Sequence, residues 1–364
     1  MIEPDELGAW LRLLETPRIG RESARRLLAA FGSPQAAVAA TSAARRAVVG
    51  AAAADALAVP VDGLAALLDA TLAWLATPTS QPRRVIVLGD PSYPRLLIEA
   101  ADPPLLLYAQ GRLELLAADA IAVVGSRNPT PQGSDNARDF SAHLSHAGLT
   151  VVSGLALGID AAAHGGALEG AGSTIAVVGT GLDRVYPSRN LKLAHRIAEE
   201  GLVLSEYALG TPPLPSRFPP RNRIIAGLAR STLVVEAALQ SGSLITARLA
   251  SEAGRDVFAI PGSIHSPLSR GCHLLIKQGA KLVESAQDVL EEFAMPLAAV
   301  VPAAPGDYVD SVLAALGFDT VTLDALVART GRPAAELHVR LLDLELDGRV
   351  ARLPGQRFQR LGRP

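Results

Sequence analysis

Eight short apolar runs rich in β-branched residues, RVIVLG, AIAVVG, LTVVSG, TIAVVG, LVLSE, TLVVEA, DVFAIP and AKLVE, follow one another between residues 84 and 284. Segments of helical spacing separate them. Each run is continuously apolar rather than alternating, which suits a strand whose sheet is covered on both faces. Strand and helix in alternation therefore predict an α/β domain, a doubly wound parallel sheet with helices on either side. Four of the runs end in a Gly-containing turn. Sheets of this kind bind ligands beyond the carboxyl ends of their strands, so functional residues are expected at that edge.

Two Pro-rich, weakly patterned stretches, ATPTSQP (76–82) and MPLAAVVPAAPGD (295–307), read as linkers. They divide the chain into a helical head (1–80), the α/β body (81–295) and a tail (305–364). In the head, Leu7, Trp10, Leu11 and Leu14, then Ala24, Leu27, Leu28 and Phe31, mark two helices joined by the turn TPRIG. The pattern is that of a helix-hairpin-helix, whose turn amides can hold a phosphate, although two packed helices need such a turn for structural reasons alone. The tail reads as a helix over 307–316, one over 322–330 capped by Thr322, one over 333–347 opened by Pro333, and a hairpin, VARL-PGQ-RFQRL. That order predicts a winged-helix-like domain. Its third helix carries Arg340 and His338 against Glu336, Asp343, Glu345 and Asp347, the wrong sign for a DNA groove. A protein contact, or none, is expected of it.

At 364 residues and 49% hydrophobic the chain has a sizeable core. No uninterrupted apolar run is long enough to span a bilayer, and MIEPDELGAW has no signal-peptide pattern, so a cytoplasmic protein without membrane contact is expected. One cysteine, Cys272, and seven scattered histidines show no zinc-ligand spacing, so no metal is expected. With a net charge of -2, any nucleic-acid site must be local. Two stretches look locally unopposed: Arg184, Arg189, Lys192 and Arg196, then Arg217, Arg221, Arg223 and Arg230.

The loops at the strand ends supply candidates. VVGSRNPTPQG (123–133) places Gly125, Ser126 and Arg127 at a strand tip, with helix amides beyond that favour an anion and a guanidinium fit to pair a phosphate or stack on a base. SGLALGID, with Ser153, Gly154 and Gly158, repeats the arrangement; Asp160 is expected to cap the next helix, with His164 one turn on as an orienting partner rather than an acid-base pair. GTGLDRVYPSRN lacks the third glycine of a dinucleotide fingerprint, and no Gly-Lys dipeptide occurs, so neither NAD binding nor a P-loop is expected. This loop carries Arg189, one of the unopposed cations. FPPRNRIIAG, read as extended, would turn Arg221 and Arg223 to one side around Asn222, unless salt bridges pin them. QSGSLITA offers Ser241, Gly242, Ser243 and Thr246 at a helix start. The helix SLITARLASEAG (243–254) reads as fully buried, in the core or across a subunit boundary. Together these loops line one sheet edge with amides and arginines and bring no nucleophile, metal or hydride chemistry, the makings of a groove for a phosphate backbone.

The ordered set VVGSR, VVSGLALGIDAAAH, VVGTGLDRVYP, LSEY, FPPRNRIIAG, VVEAALQSGSLITARLA, GRDVFAIPGS and GCHLLIKQGA resembles the DprA/Smf family of bacterial DNA-processing proteins, over about Tyr93 to Val289. The head and tail resemble that family's sterile-alpha-motif-like and winged-helix domains in pattern. The resemblance implies a Rossmann-like body that binds single-stranded DNA, forms homodimers and loads the RecA recombinase in natural transformation, with no catalytic activity and no cofactor. It also implies that Arg127 contacts the strand. Some members carry Lys directly after the Tyr-Pro of the third loop, where this chain has Ser188 followed by Arg189. Two other readings compete: a phosphoribohydrolase-like enzyme, whose PGGxGTxxE motif is absent, and a sensor of a small nucleotide using the same loops.

Overall fold

A computed structural model describes residues 2–294, 310–318 and 320–361. The second Pro-rich stretch, the start of the helix expected over 307–316 and the boundaries near 295 and 305 lie outside the described residues.

The head is built from α1 (Pro4–Glu15), α2 (Arg21–Phe31), α3 (Pro34–Ala39), α4 (Ser42–Val49), α5 (Ala51–Ala58) and α6 (Leu64–Ala76). Gly32, in the left-handed region at φ 80°, closes α2 by donating from its amide to Leu28 O, and Thr41 Oγ1 accepts from Ala44 N to start α4. The body follows as β1 (Arg83–Val87), α7 (Arg95–Ile98), β2 (Leu106–Gly111), β3 (Ala120–Val124), α8 (Pro131–His146), β4 (Thr150–Ser153), α9 (Ile159–Ala167), β5 (Thr174–Val177), α10 (Leu191–Glu200), β6 (Leu202–Ser205), α11 (Phe218–Leu228), β7 (Ser231–Val234), α12 (Ser243–Glu252), β8 (Asp256–Ala259), α13 (Arg270–Lys277), β9 (Lys281–Leu282) and α14 (Ala286–Glu292). The tail comprises α15 (Ser311–Leu316), β10 (Val321–Thr322), α16 (Leu323–Thr330), α17 (Ala334–Leu346), β11 (Val350–Leu353) and β12 (Arg357–Arg360).

Among the described residues nine strands form one sheet in the order β1-β2-β6-β5-β4-β3-β7-β8-β9. The stretch from β6 to β9 is parallel, as the continuous apolar runs predict. The far edge differs. RVIV does not join the parallel stack: β1 pairs antiparallel with β2, and β2 antiparallel with β6. The strand β2 was not among the predicted eight. Two cores sandwich the sheet. Ala137, Phe140 and Leu144 of α8 with Ile159, Ala163 and Ala167 of α9 cover one face. On the other lie Ile224, Ile225 and Leu228 of α11 with Ala247 of α12 and Leu97 of α7. The helix expected to be wholly buried, α12, is half-exposed: Ser243, Thr246, Ala247 and Ala250 face inward, while Arg248, Ser251 and Glu252 meet solvent.

The antiparallel edge explains how the head is attached. Its core contains Leu7, Trp10, Leu11, Leu27 and Trp74 together with Val85, Val87, Leu105, Leu106 and Tyr108 of the β1–β2 region. Trp74 meets Tyr108 edge-on at 5.9 Å, a geometry worth about 1 kcal/mol beyond the area it buries. The first Pro-rich stretch thus joins two units that share one core. In the tail, Thr322 caps α16 as predicted, and Leu326, Leu337, Leu341, Leu344 and Phe358 make a separate small core beneath the hairpin.

Candidate nucleic-acid interface

The chain runs outward from β3 through β4, β5 and β6, then returns to lay β7 on β3's other side. The loops after β3 and β7 therefore diverge, and a crevice opens at the carboxyl edge between them. The amides at the start of α8 point there. Thr130 caps this helix, its Oγ1 accepting from Gly133 N at 3.0 Å. The anion at these donors is the protein's own: the Glu236 carboxylate accepts from Thr130 N at 2.9 Å and Thr130 Oγ1 at 2.6 Å. Burial pushes the Glu236 carboxyl up, against the lowering effect of the Thr130 bonds. A Cβ on Gly133 would strike this carboxylate. The expected phosphate seat is already filled.

Arg127 stands on the tip of β3, exposed, with its guanidinium carbon 5.7 Å from the ring centroid of Phe218. Phe218 opens α11, and Tyr186 lies beside it at 5.6 Å with the rings inclined by 30°. Tyr186 is 48% exposed. Two aromatic faces and a guanidinium thus share one outward patch, the composition on which unstacked bases settle. Ser126 Oγ accepts from Asn128 N and its carbonyl accepts from Ile159 N, shaping the loop under Arg127.

The neighbouring glycines are packed closely, loop on loop. A Cβ on Gly125 would run into the Ile159 side chain, one on Gly158 (φ 80°) into Ser126 O and Pro129, and one on Gly154 into the Arg221 guanidinium. Ser153 is buried and donates to Val123 O at 2.6 Å. Asp160 is not the helix cap; Gly158 holds that position without a side-chain bond. Instead the Asp160 carboxylate accepts from Gly154 N at 3.1 Å and Ala156 N at 3.3 Å. His164 Nε2 accepts from Leu155 N at 3.3 Å. Because Thr174 Oγ1 spends its hydrogen on Val151 O, His164 Nδ1 is the donor to Thr174 at 2.7 Å. Burial, reinforced by Arg221, takes the His164 imidazole down to about 3, so it is neutral at pH 7. Asn190 Nδ2 completes the clamp by donating to Leu155 O and Ala156 O.

FPPRNRIIAG is helical, not extended, and its arginines part company. Arg221 is 3% exposed and donates from Nη1 to Val177 O at 2.8 Å; burial lowers it to about 10. Arg223 bonds Glu206 at 2.5 Å and Asp102 at 3.0 Å. Burial opposes its charge, but the two carboxylates outweigh that and raise its pKa. Asp102 also receives Arg21 and Arg25 of the head, each at 2.7 Å. Asn222 is half-exposed and makes no ion pair, its Nδ2 donating to Gly242 O at 3.3 Å. Beyond it, the hydroxyls of Ser241 and Ser243 bond each other at 2.7 Å; Gly242 is exposed and Thr246 buried.

Most of the seemingly unopposed charges are likewise engaged. Arg184 pairs with Asp183, Arg196 with Glu200 and Arg230 with Asp119, while Arg217 donates to Pro212 O and lies over Tyr207. Among the described residues, Arg189 and Lys192 are exposed with no carboxylate in salt-bridge reach, next to exposed Ser188. Residue patterns missed Tyr186, Phe218, Glu236 and Asp102. A signal existed for the first two: in a chain with five Tyr and seven Phe, each stands beside a proline in a loop or helix start that also carries arginines.

A Rossmann-like sheet with a cationic, aromatic carboxyl edge, a helical cap and a winged helix defines a nucleic-acid-handling protein of the α/β class. Residues 84–294 match the family described as DNA recombination-mediator protein A, with a DprA winged helix domain over 296–356 and a DprA-like N-terminal HHH domain over 4–58. The chain belongs to that family. It is 42% identical over 302 residues to protein Smf of Escherichia coli (strain K12), covering 79% of each chain. The crystal structure of DNA processing protein A from Streptococcus pneumoniae superposes with a TM-score of 0.69 at 40% identity, over 82% of this chain and 99% of that one. DNA processing protein A from Helicobacter pylori, described for its single-stranded DNA binding mode, gives 0.54 at 31% identity, over 58% and 95%.

Proposed function

We infer that this chain binds single-stranded DNA along the carboxyl edge of its Rossmann-like sheet and passes the strand to the RecA recombinase, as a homodimer in the cytoplasm and without catalysing a reaction. The observation that carries the reading is the patch of Arg127, Phe218 and Tyr186. One phosphate-pairing group stands against two rings that accept any base, the combination that holds an unpaired strand irrespective of sequence. Ser126, Ser188, Arg189, Asn222, Ser241 and Gly242 extend the track on either side, and Lys192 joins it. Gly125, Ser153, Gly154, Gly158, Arg221, Arg223, Ser243 and Thr246 act from beneath by fixing the loops. The likeness to the Helicobacter pylori protein supports a strand as ligand, and the family description supports a recombination role.

In this reading the head (1–80) braces the groove, the body (81–295) binds the strand and pairs two copies, and the tail (305–364) serves other contacts. His164, neutral with both ring nitrogens engaged, offers no proton at the surface, which favours binding over chemistry.

The test is fluorescence anisotropy of a labelled oligo-dT strand and of a duplex, at two salt concentrations. Salt-sensitive binding that favours the single strand supports the groove. Equal affinity for strand and duplex, or for strand and mononucleotide, would reject it.

A further inference from the structure

The third helix of a winged helix is the one that enters a DNA groove. In this chain that helix, α17, carries an outward face of another kind. Val339 is 66% exposed, Leu342 55% and Leu346 80%. With exposed Ala335 they follow one another at steps of four, three and four residues, an apolar stripe along one side of the helix. The opposite side is spoken for, since Leu337, Leu341 and Leu344 fill the tail's own core. Nothing elsewhere in the described chain covers the stripe.

The borders of the stripe are acidic. Glu336, Asp343 and Asp347 form a row along one flank, and Glu345 stands on the other with His338. Two cations offset part of this charge, Arg332 lying 3.5 Å from Glu336 and Arg340 reaching Asp310 at 2.6 Å and Asp343 at 3.6 Å, and the acids still outnumber them. A phosphate backbone or an anionic lipid surface would meet this row with like charge. An antiparallel two-fold pair of α17 helices would set the row of Glu336 and Asp343 against its own copy.

We propose that the outward face of α17 docks an amphipathic helix of a partner protein, with an apolar stripe that covers Val339, Leu342 and Leu346 and with lysines or arginines on its borders. Spaced apolar anchors supply the contact, and the acidic rows select the sign of the partner and set its register. The site is separate from the strand groove, and either can stand without the other.

The experiment uses the full chain and a labelled synthetic helix with leucines at three- and four-residue spacing and lysine borders. The expected result is saturable binding that weakens with salt. It should fall at least about tenfold, a change of about 1.4 kcal/mol, in Leu342→Glu and Leu346→Glu, and when the lysines of the peptide are replaced by glutamate. Both leucines face solvent, so these variants keep the fold, and single-strand affinity is unchanged in both. Binding that is absent, or equal in wild type and variants, overturns the proposal. So does concentration-dependent self-association that Leu346→Glu abolishes, since a second copy would then own the face.

Discussion

Arg127 and Phe218, ninety-one residues apart in sequence, meet with the guanidinium carbon 5.7 Å from the ring centroid, each coming from a different side of the sheet's carboxyl edge. Charge and ring thereby sit on one patch, and under the proposed function they would make separable contributions to strand binding. Arg127→Ala removes one phosphate contact, so affinity should fall several-fold and the log-log salt slope should lose about 0.7. Phe218→Ala removes a stacking face worth about 1–3 kcal/mol per base and should leave the slope unchanged. Titrations of both variants across salt check this; identical slopes for Arg127→Ala and wild type would remove Arg127 from the phosphate track.

Gly154 is predicted to tolerate no side chain. In Gly154→Ala the new methyl meets the buried Arg221 guanidinium, whose Nη1 is tied to Val177 O. Overpacking of this kind costs about 1–3 kcal/mol. Urea unfolding should show a lower midpoint with an unchanged m-value, and strand affinity should weaken because the loop beside Arg127 is displaced.

Asp102→Ala tests the bracing role of the head. The substitution strands Arg21, Arg25 and Arg223 beside a single remaining carboxylate, Glu206. Loss of one partner from a buried pair costs about 3–5 kcal/mol, and because the Asp102 side chain is 30% exposed the expectation is reduced to about 1–2 kcal/mol. Asp102 is also held below its ordinary value, since the arginines outweigh the raising effect of burial. Its stabilisation is therefore present above its unfolded value of 3.8 and lost as pH falls through its folded one.

His164 governs a different window. Unfolded, its imidazole takes up a proton near 6.5; folded, only near about 3. Between these values the unfolded chain binds more protons, so stability falls on acidification by up to about 1.4 kcal/mol per pH unit. Urea midpoints measured between pH 6.5 and 4.5 should slope downward in wild type and flatten in His164→Asn. An unchanged slope in the variant would assign the effect to other groups.

How much the residues disclosed depended on whether their partners were local. The parallel strands, the Thr322 cap and the tail hairpin were legible because burial period and capping chemistry are written within a few residues. β2 and the antiparallel edge were not, because a lone apolar run gives no direction of pairing. Arg221 and Arg223 lie in a helix rather than an extended segment, because the two prolines after Phe218 occupy the first turn of α11, where a missing amide costs nothing. The acid partners of Arg223, Asp102 and Glu206, lie far off in sequence or across the sheet, as does the Val177 carbonyl that Arg221 bonds, and no reading of neighbours finds them. The same limit hid Glu236 from the helix it serves.

The Glu236 carboxylate, seated on Thr130, has a consequence for what can compete in a living cell. Free nucleotides and inorganic phosphate are abundant there, and the helix start at a switch point is the place where sheets of this type usually capture them. Here that place holds a tethered anion that dilution cannot remove and no soluble phosphate can outcompete without displacing a covalently attached side chain. In the proposed groove what remains is the patch of Arg127 and two rings, whose hold on any one nucleotide would be weak and would accumulate over several linked ones. Such a surface would discriminate by polymer length and stay vacant for a strand amid a pool of monomers.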